Sequence, residues 1–162
     1  MKKIFILLLL LSIVFTSCKS SSSVVSKSES KRENKHLVKN LIETATDNIG
    51  VRYKAGGTNK NGYDCSGLVF STFQSENISL PRTSFEQSKI GKPIKINDAQ
   101  KGDLIFFKTN KSKQINHVGL ITEVNSNEIK FVHSSTAKGV IISSTKEPYY
   151  QNSFTQINRV VE

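Results

Sequence analysis

The stretch Asp64-Cys65-Ser66-Gly67-Leu68-Val69-Phe70 decides how the rest of the chain is interpreted. A loop rich in glycine and asparagine precedes it, and apolar residues recur at helical spacing after it, so the pattern predicts a helix that begins near Cys65. Asp64 is a suitable N-cap, which places Cys65 in the first turn. Because the positive end of a helix dipole favours an anion, we expect a lowered thiol pKa and a nucleophilic cysteine. A small buried residue at a helix start is the alternative interpretation.

The first eighteen residues have the pattern of an export signal. Two lysines precede an apolar run from Ile4 to Phe15, which is too short to span a bilayer comfortably. Small residues then lead to Cys18, as in a bacterial lipobox, although Phe15 stands where leucine is commoner. We expect a signal peptide over residues 1–17, a lipid on Cys18, and a membrane-anchored protein of the cell envelope. A plain signal peptide or a short anchor is the alternative.

The cysteine count supports a function for Cys65. The chain has two cysteines, so a lipid on Cys18 leaves Cys65 without an intramolecular partner. Exported proteins occupy an oxidising environment, where cysteines tend to be paired or absent. An unpaired thiol there indicates nucleophilic catalysis.

Composition divides the exported part into a tether and one domain. Residues 18–34 are rich in serine and charge, which predicts a flexible tether, and residues 35–162 are enough for one domain. A helix is predicted from about 35 to 49, with His36 on its surface. Lys2 and Lys3 lie in the signal, so the formal net charge of +10 leaves +8 on the exported part. This charge suits anionic lipid or wall polymers, and a merely solubilising charge is the alternative. Nucleic acid is not expected outside the cytoplasm, and we expect a monomer.

The second half of the chain changes from helical to strand periodicity. Pro81 opens a short helical turn through Gln87, and five short β-branched or aromatic runs follow after residue 101. This order predicts an α+β domain, with N-terminal helices packed on a mostly antiparallel sheet of five to six strands, arranged as a meander. The runs are 104–107, 117–124, 129–133, 140–143 and 154–161.

Two histidines lie in neighbouring predicted strands. His117 opens one strand and His133 closes the next, so an antiparallel hairpin places both at the same end of the sheet. A four-residue loop that pairs Val124 with Ile129 would put them on opposite faces, because side chains alternate along a strand. A shared site therefore requires an odd loop or a β-bulge.

Amide cleavage by a cysteine needs these groups together. We assign His117 as the base that takes the thiol proton and gives it to the leaving amine, and His133 as the group that orients His117. Backbone N–H groups at the start of the Cys65 helix are candidates to stabilise the oxyanion. A catalytic zinc site of one cysteine and two histidines is the alternative, but the sequence lacks the usual metal spacings, so we expect no metal and no cofactor.

At these residues the chain resembles the NlpC/P60 family of papain-like cysteine peptidases. Its C-terminal part looks closest to the Spr/MepS-type lipoprotein murein endopeptidases, through residues 139–144 and Glu147-Pro148-Tyr149. The resemblance implies a papain-like fold, a triad of Cys65, His117 and His133, and hydrolysis of peptidoglycan stem peptides. The matching motifs are Tyr53-Lys54-Ala55-Gly56-Gly57, Asp64-Cys65-Ser66-Gly67-Leu68-Val69, Pro81-Arg82-Thr83-Ser84 with Gln87, Lys101-Gly102-Asp103-Leu104, His117-Val118-Gly119 and Phe131-Val132-His133-Ser134.

The resemblance also suggests supporting residues. Tyr53 matches a family tyrosine near the oxyanion site, with a packed loop tyrosine as the alternative. Arg82 is a candidate to bind a substrate carboxylate, or else it fixes its own loop, and Asp64 and Ser66 are further substrate-binding candidates.

The sequence does not decide which of two amide bonds of the stem peptide is cut. Spr/MepS-type enzymes hydrolyse the D-alanyl–meso-diaminopimelyl crosslink, whereas other members cut D-γ-glutamyl–diaminopimelate. Lys19 after the lipidated cysteine favours the periplasmic side of the outer membrane, by resemblance to enterobacterial sorting. A wall-binding module with an inert site, and a related enzyme acting on lipids, are the other hypotheses.

Overall fold

The computed structural model describes residues 27–162, so the predicted signal peptide and Cys18 lie outside the described residues. Four α-helices and eight strands make up this part. The helices are α1 Lys27–Thr46, α2 Cys65–Ser75, α3 Ser84–Gln87 and α4 Pro148–Ser153. The strands are β1 Thr58–Asn59, β2 Gly62–Tyr63, β3 Lys92–Ile94, β4 Leu104–Phe107, β5 His117–Asn125, β6 Glu128–Ser135, β7 Gly139–Ser144 and β8 Phe154–Arg159.

The main sheet has six antiparallel strands in the order β3-β8-β4-β5-β6-β7. Strands β4 to β7 follow one another as a meander, as predicted. Strand β8 instead crosses back to pair with β4, so the predicted meander is wrong for the last strand. Pairing with β4 places β8 in the sheet interior, where Ile157 is fully buried.

One face of the sheet carries α1 and α2, and the other carries α4. Leu68, Val69 and Phe73 of α2 pack with Leu41 of α1 and with sheet residues such as Val118. A second cluster on the α4 side contains Tyr150 and buried residues of β4, β5, β6 and β8. Strand β4 is buried on both faces, which explains why its sequence reads Leu-Ile-Phe-Phe without alternation. The α+β class and the helix-on-sheet packing are confirmed.

Helix α1 begins earlier than predicted. It starts at Lys27, not near residue 35, so residues 27–34 of the predicted 18–34 tether are helical. Lysine, arginine and glutamate are good helix formers, and Glu29 lies in the first turn, where a negative charge is favourable. His36 is exposed on this helix, as predicted. None of the helices within residues 27–162 is long and apolar enough to cross a bilayer.

The sequence prediction lacked β3, the hairpin of β1 and β2, and helix α4. Strand β3 pairs with β8 although Pro93 lies in it, because an edge strand tolerates a residue without an N–H. Strands β1 and β2, each of two residues, form a small antiparallel hairpin within the glycine-rich loop that precedes α2. Helix α4 begins with Pro148, a residue typical of the first helical position.

Gly67 in α2 lies where a side chain has no room. A Cβ built there is 2.0 Å from the Gly57 carbonyl oxygen and 2.9 Å from Asp64 Oδ1. Alanine inside a helix is ordinarily better than glycine by about 1 kcal/mol, but this overlap must displace the loop or the cap, at a cost of about 1–3 kcal/mol. We expect Gly67→Ala to lower the free energy of unfolding, measured by urea denaturation.

The control for this variant is Ser71→Ala, one turn further along the same helix. Ser71 is half-buried and donates a hydrogen bond to the Leu68 carbonyl. Loss of this bond costs about 1 kcal/mol, and the higher helix propensity of alanine offsets about half of that, so we expect a net loss of about 0.5 kcal/mol. Equal or higher stability of Gly67→Ala would contradict the steric argument.

Candidate active site

Asp64 begins α2 and holds the nucleophile's helix to its surroundings. Its Oδ1 accepts a hydrogen bond from the Gly67 N–H at 2.6 Å, which confirms the predicted N-cap. Its Oδ2 accepts one from the Gly56 N–H at 2.8 Å, which ties the preceding loop to the helix. Cys65 is therefore fixed in the first turn of α2, at the end of the sheet where β5 begins.

Cys65 is unpaired and half-buried in the structure. Its Sγ lies 3.9 Å from the Asn116 carbonyl oxygen. Burial raises the pKa of the thiol to about 11, although N–H groups of Val118, Ser66 and Cys65 itself oppose this rise. The predicted lowered thiol pKa is thus wrong, because desolvation outweighs the favourable helix end.

A β-bulge puts the two histidines on one face of the sheet. Near the turn, Val124 pairs with Ile129, the register that by itself would separate the histidines. The register then shifts between Ile121 and Glu123, and beyond that shift Leu120 pairs with Val132. The next residues along, Gly119 and His133, are therefore opposite each other, and His117 shares their face. The requirement for a bulge or an odd loop is confirmed, with Thr122 as the extra residue.

The two histidines are directly hydrogen bonded. His117 Nε2 lies 2.9 Å from His133 Nδ1, which leaves Nδ1 as the free ring nitrogen of His117. Burial lowers the pKa of His117 to about 4. Burial, and then the neighbouring His117, lower the pKa of His133 to about 3, and His133 has no exposed surface. Both rings are therefore neutral at pH 7.

Neither half of the cysteine–histidine pair ionises readily by itself. A thiol pKa near 11 and an imidazole pKa near 4 disfavour separate charges at Cys65 and His117. A transfer of the proton from sulfur to nitrogen during attack avoids either isolated charge. The arrangement suits general-base catalysis by His117.

Tyr150 is a site residue that the sequence prediction missed. Its hydroxyl lies 3.2 Å from His133 Nε2, so both ring nitrogens of His133 have partners. The residue lies in the short helix α4, which periodicity could not predict in only six residues. Pro148 after Glu147 was the available signal, since proline often opens a helix.

Arg82 binds Asp64 with both nitrogens of its guanidinium fork. Its Nη1 donates to Asp64 Oδ1 at 2.9 Å and to Ser66 Oγ at 3.0 Å, and its Nη2 donates to Asp64 Oδ2 at 2.7 Å. Burial by itself would raise the pKa of Asp64, but hydrogen bonds from Arg82, Gly67 and Gly56 hold it below its ordinary value. These contacts favour the loop-fixing alternative for Arg82. The substrate-binding roles of Arg82, Asp64 and Ser66 stay predictions.

A cleft of about 550 Å³ opens onto the predicted nucleophile and base. Cys65, His117 and Tyr53 line it together with Tyr150. Burial and the nearby Cys65 raise the pKa of Tyr53, so its phenol stays protonated and able to donate a hydrogen bond. A cavity of about 680 Å³ beside α1 is larger, but its described lining contains neither cysteine nor histidine.

The sequence matches the NlpC/P60 family over residues 50–159, which contain Cys65, His117 and His133. The chain belongs to the NlpC/P60 family. This match covers every described strand and the helices α2 to α4.

Relatives of this NlpC/P60 chain include two with curated names. It is 37% identical over 149 residues to the murein DD-endopeptidase MepS/murein LD-carboxypeptidase of Escherichia coli K12, with 88% of this chain and 75% of that protein covered. It is 43% identical over 121 residues to a probable endopeptidase of Haemophilus influenzae, with 74% and 73% covered.

A solved NlpC/P60 structure confirms the fold. The crystal structure of an NlpC/P60 family protein from Bacillus cereus aligns with a TM-score of 0.69 and 30% identity. The alignment covers 77% of this chain and 40% of that one, so the match concerns the shared domain.

The buried neutral histidines make the NlpC/P60 domain sensitive to acid. The unfolded chain binds protons at histidine below about pH 6.5, whereas folded His133 resists protonation until about pH 3. The free energy of unfolding should therefore fall as the pH falls from 6.5 toward 4.5. His133→Gln should show a shallower fall in urea titrations than the wild type. Equal slopes in the two proteins would contradict this account.

Arg82→Lys tests whether Arg82 supports the loop. Lysine keeps the charge but loses the fork that contacts both oxygens of Asp64, so we expect the free energy of unfolding to drop by about 1–3 kcal/mol. Urea unfolding and steady-state kinetics on the same protein separate the two roles. Unchanged stability with a raised KM would instead assign Arg82 to the substrate.

Proposed function

We propose that this chain is a cysteine endopeptidase that hydrolyses amide bonds of peptidoglycan stem peptides. The observation that carries the proposal is the 2.9 Å hydrogen bond between His117 and His133, beside a cleft that also exposes Cys65. The murein endopeptidase name of the E. coli relative supports the substrate class.

The first half of the reaction acylates the enzyme. The Cys65 sulfur attacks the carbonyl carbon of the scissile amide while His117 Nδ1 takes the thiol proton, and the carbonyl oxygen becomes an oxyanion. The tetrahedral intermediate then collapses, the C–N bond breaks, and His117 returns the proton to the leaving amine. A thioester between Cys65 and the acyl part of the substrate remains.

The second half restores the thiol. His117 takes a proton from water, the resulting hydroxide attacks the thioester, and the carboxylic acid product leaves as the proton returns to sulfur. The N–H groups at the start of α2 and the protonated Tyr53 hydroxyl are the donors that we assign to the oxyanion in both halves. Apart from one water molecule, no group outside the described site is required for atom or charge balance.

We infer that the D-alanyl–meso-diaminopimelyl crosslink is the bond that is cut during wall growth. The DD-endopeptidase name of the E. coli relative supports this choice. That name also includes an LD-carboxypeptidase activity, so removal of the terminal residue of a stem tetrapeptide is the second candidate. Cleavage of D-γ-glutamyl–diaminopimelate remains the alternative within the family.

We further propose that a lipid on Cys18 anchors the protein on the periplasmic side of the outer membrane. The apolar segment that ends before Cys18, followed by Lys19, supports this location. Residues 19–26 separate the anchor from α1 and can span at most about 30 Å. We expect the protein to act as a monomer.

Purified muropeptides test the proposed reaction. Full-length protein carrying Cys18→Ser is incubated with crosslinked dimers and with uncrosslinked tetrapeptides, and the products are identified by mass spectrometry. We expect dimers to become monomers, and Cys65→Ala to lower the rate by about a thousandfold or more while circular dichroism stays unchanged.

Other products would change the assignment. Shortening of uncrosslinked tetrapeptides by one residue would assign the carboxypeptidase reaction, and cleavage within the stem would assign the γ-glutamyl bond. Products that form equally with Cys65→Ala would contradict cysteine catalysis. If none of these substrates reacts while the protein binds them, the domain is a wall-binding module.

A further inference from the structure

His133 belongs to a buried chain of hydrogen bonds that extends past the histidine pair. Tyr150 contacts its Nε2 at 3.2 Å, and Ser143 hydrogen bonds the Tyr150 hydroxyl in turn. Exposed fractions are 0% for His133, 7% for Tyr150 and 5% for Ser143. These groups are thus shielded from water and depend on one another for hydrogen bonds.

Two proton arrangements satisfy this chain. In one, the Tyr150 hydroxyl donates to His133 Nε2, and His133 Nδ1–H donates to His117 Nε2. In the other, the direction is reversed: His117 Nε2–H donates to His133 Nδ1, and His133 Nε2–H donates to the Tyr150 oxygen. A histidine ring carries one proton when neutral, so the tautomer of His133 decides between them.

The reaction requires the second arrangement at every stage. Neutral His117 can take the Cys65 proton at Nδ1 only if its own proton is on Nε2. Protonated His117 carries a proton on both nitrogens, so its Nε2 is again a donor. His133 Nδ1 must therefore accept in both states, which forces the proton of His133 onto Nε2.

We propose that Tyr150 is a positioning residue that accepts the hydrogen bond from His133 Nε2–H and so holds His133 in the tautomer that keeps His117 competent as a base. The inference rests on the proposed function only for the role of His117. Without the Tyr150 oxygen, a buried N–H of His133 would lose its partner, and the competing tautomer would gain population.

The surroundings of His133 offer few other partners. The titratable groups that face it are His117 from β5 and Tyr150 from α4, and the Phe131 ring lies 5.2 Å from its ring centroid. Burial, and to a smaller extent Glu147 and Tyr149, raise the pKa of Tyr150, so the phenol stays protonated at neutral pH. A neutral phenol can accept at its oxygen from His133 Nε2–H and donate its own proton to the Ser143 hydroxyl, so both contacts can form at once.

Tyr150→Phe removes this acceptor and keeps the ring. The ring packs on Phe107 and Phe131 with centroids 5.2 Å and 5.1 Å apart, contacts that phenylalanine preserves. We expect kcat on crosslinked muropeptides to fall about ten- to a hundredfold, with KM within about twofold of wild type. Tyr63→Phe is the matched control, because it makes the same change at another buried tyrosine, within the core cluster on the α1 and α2 side. It should keep the wild-type kcat.

The tautomer is measured directly on the full-length wild-type protein. Long-range ¹H–¹⁵N correlation spectra at pH 7 should show His133 protonated at Nε2 and unprotonated at Nδ1. A proton on Nδ1 would overturn the inference, since Tyr150 would then be the donor. An unchanged kcat in folded Tyr150→Phe would overturn it as well.

Because the His133 tautomer and the kcat of Tyr150→Phe are measured independently, this inference and the proposed function can fail independently. The spectrum needs no substrate, so it decides the role of Tyr150 even if the protein hydrolyses no muropeptide. It also decides the question if Tyr150→Phe does not fold. Muropeptide hydrolysis by the wild type with the Nδ1 tautomer would retain peptidoglycan hydrolysis as the function, but it would reject both the role of Tyr150 and His117 Nδ1 as the base.

Discussion

The Asp64 carboxylate is the constraint on which the position of the nucleophile depends. It accepts hydrogen bonds from the backbone of Gly56 and Gly67, from the Ser66 hydroxyl, and twice from Arg82. These donors come from the loop before α2, from α2 itself and from the segment before α3. A single side chain next to Cys65 thus joins three pieces of backbone, and a charged acceptor makes each bond stronger than a neutral one would be.

The side of the site that carries the two histidines is shielded from water. His133 lies among aromatic rings, and the proton it carries is directed by neighbours rather than by solvent. Burial of neutral imidazoles opposes folding at low pH, yet it keeps His117 unprotonated and ready to take a proton. The site combines a helix end fixed by charge with a strand end fixed by apolar packing.

Much of this arrangement was predictable because it follows from local chemistry. The N-cap at Asp64, the helix after it and the strands that carry His117 and His133 are each encoded by neighbouring residues. The shared face of the histidines was not predictable, since it depends on an extra residue near Thr122 for which the sequence carries no local signal. The thiol pKa was predicted in the wrong direction, because burial of Cys65 depends on the packed structure. Tyr150 was missed for the same reason, as its partner is seventeen positions away.

The bulge near Thr122 divides the β5–β6 hairpin into two parts with different tolerance to changes of length. The outer part, with the turn at Ser126 and Asn127, lies beyond the bulge and is not what aligns His133 with Gly119. Insertions at this exposed turn, such as a short epitope, can leave the inner register intact. One residue lost between Val118 and Thr122 would exchange the two faces of the inner strand. The turn end of this hairpin therefore tolerates a change in length, whereas the end that carries the histidines does not.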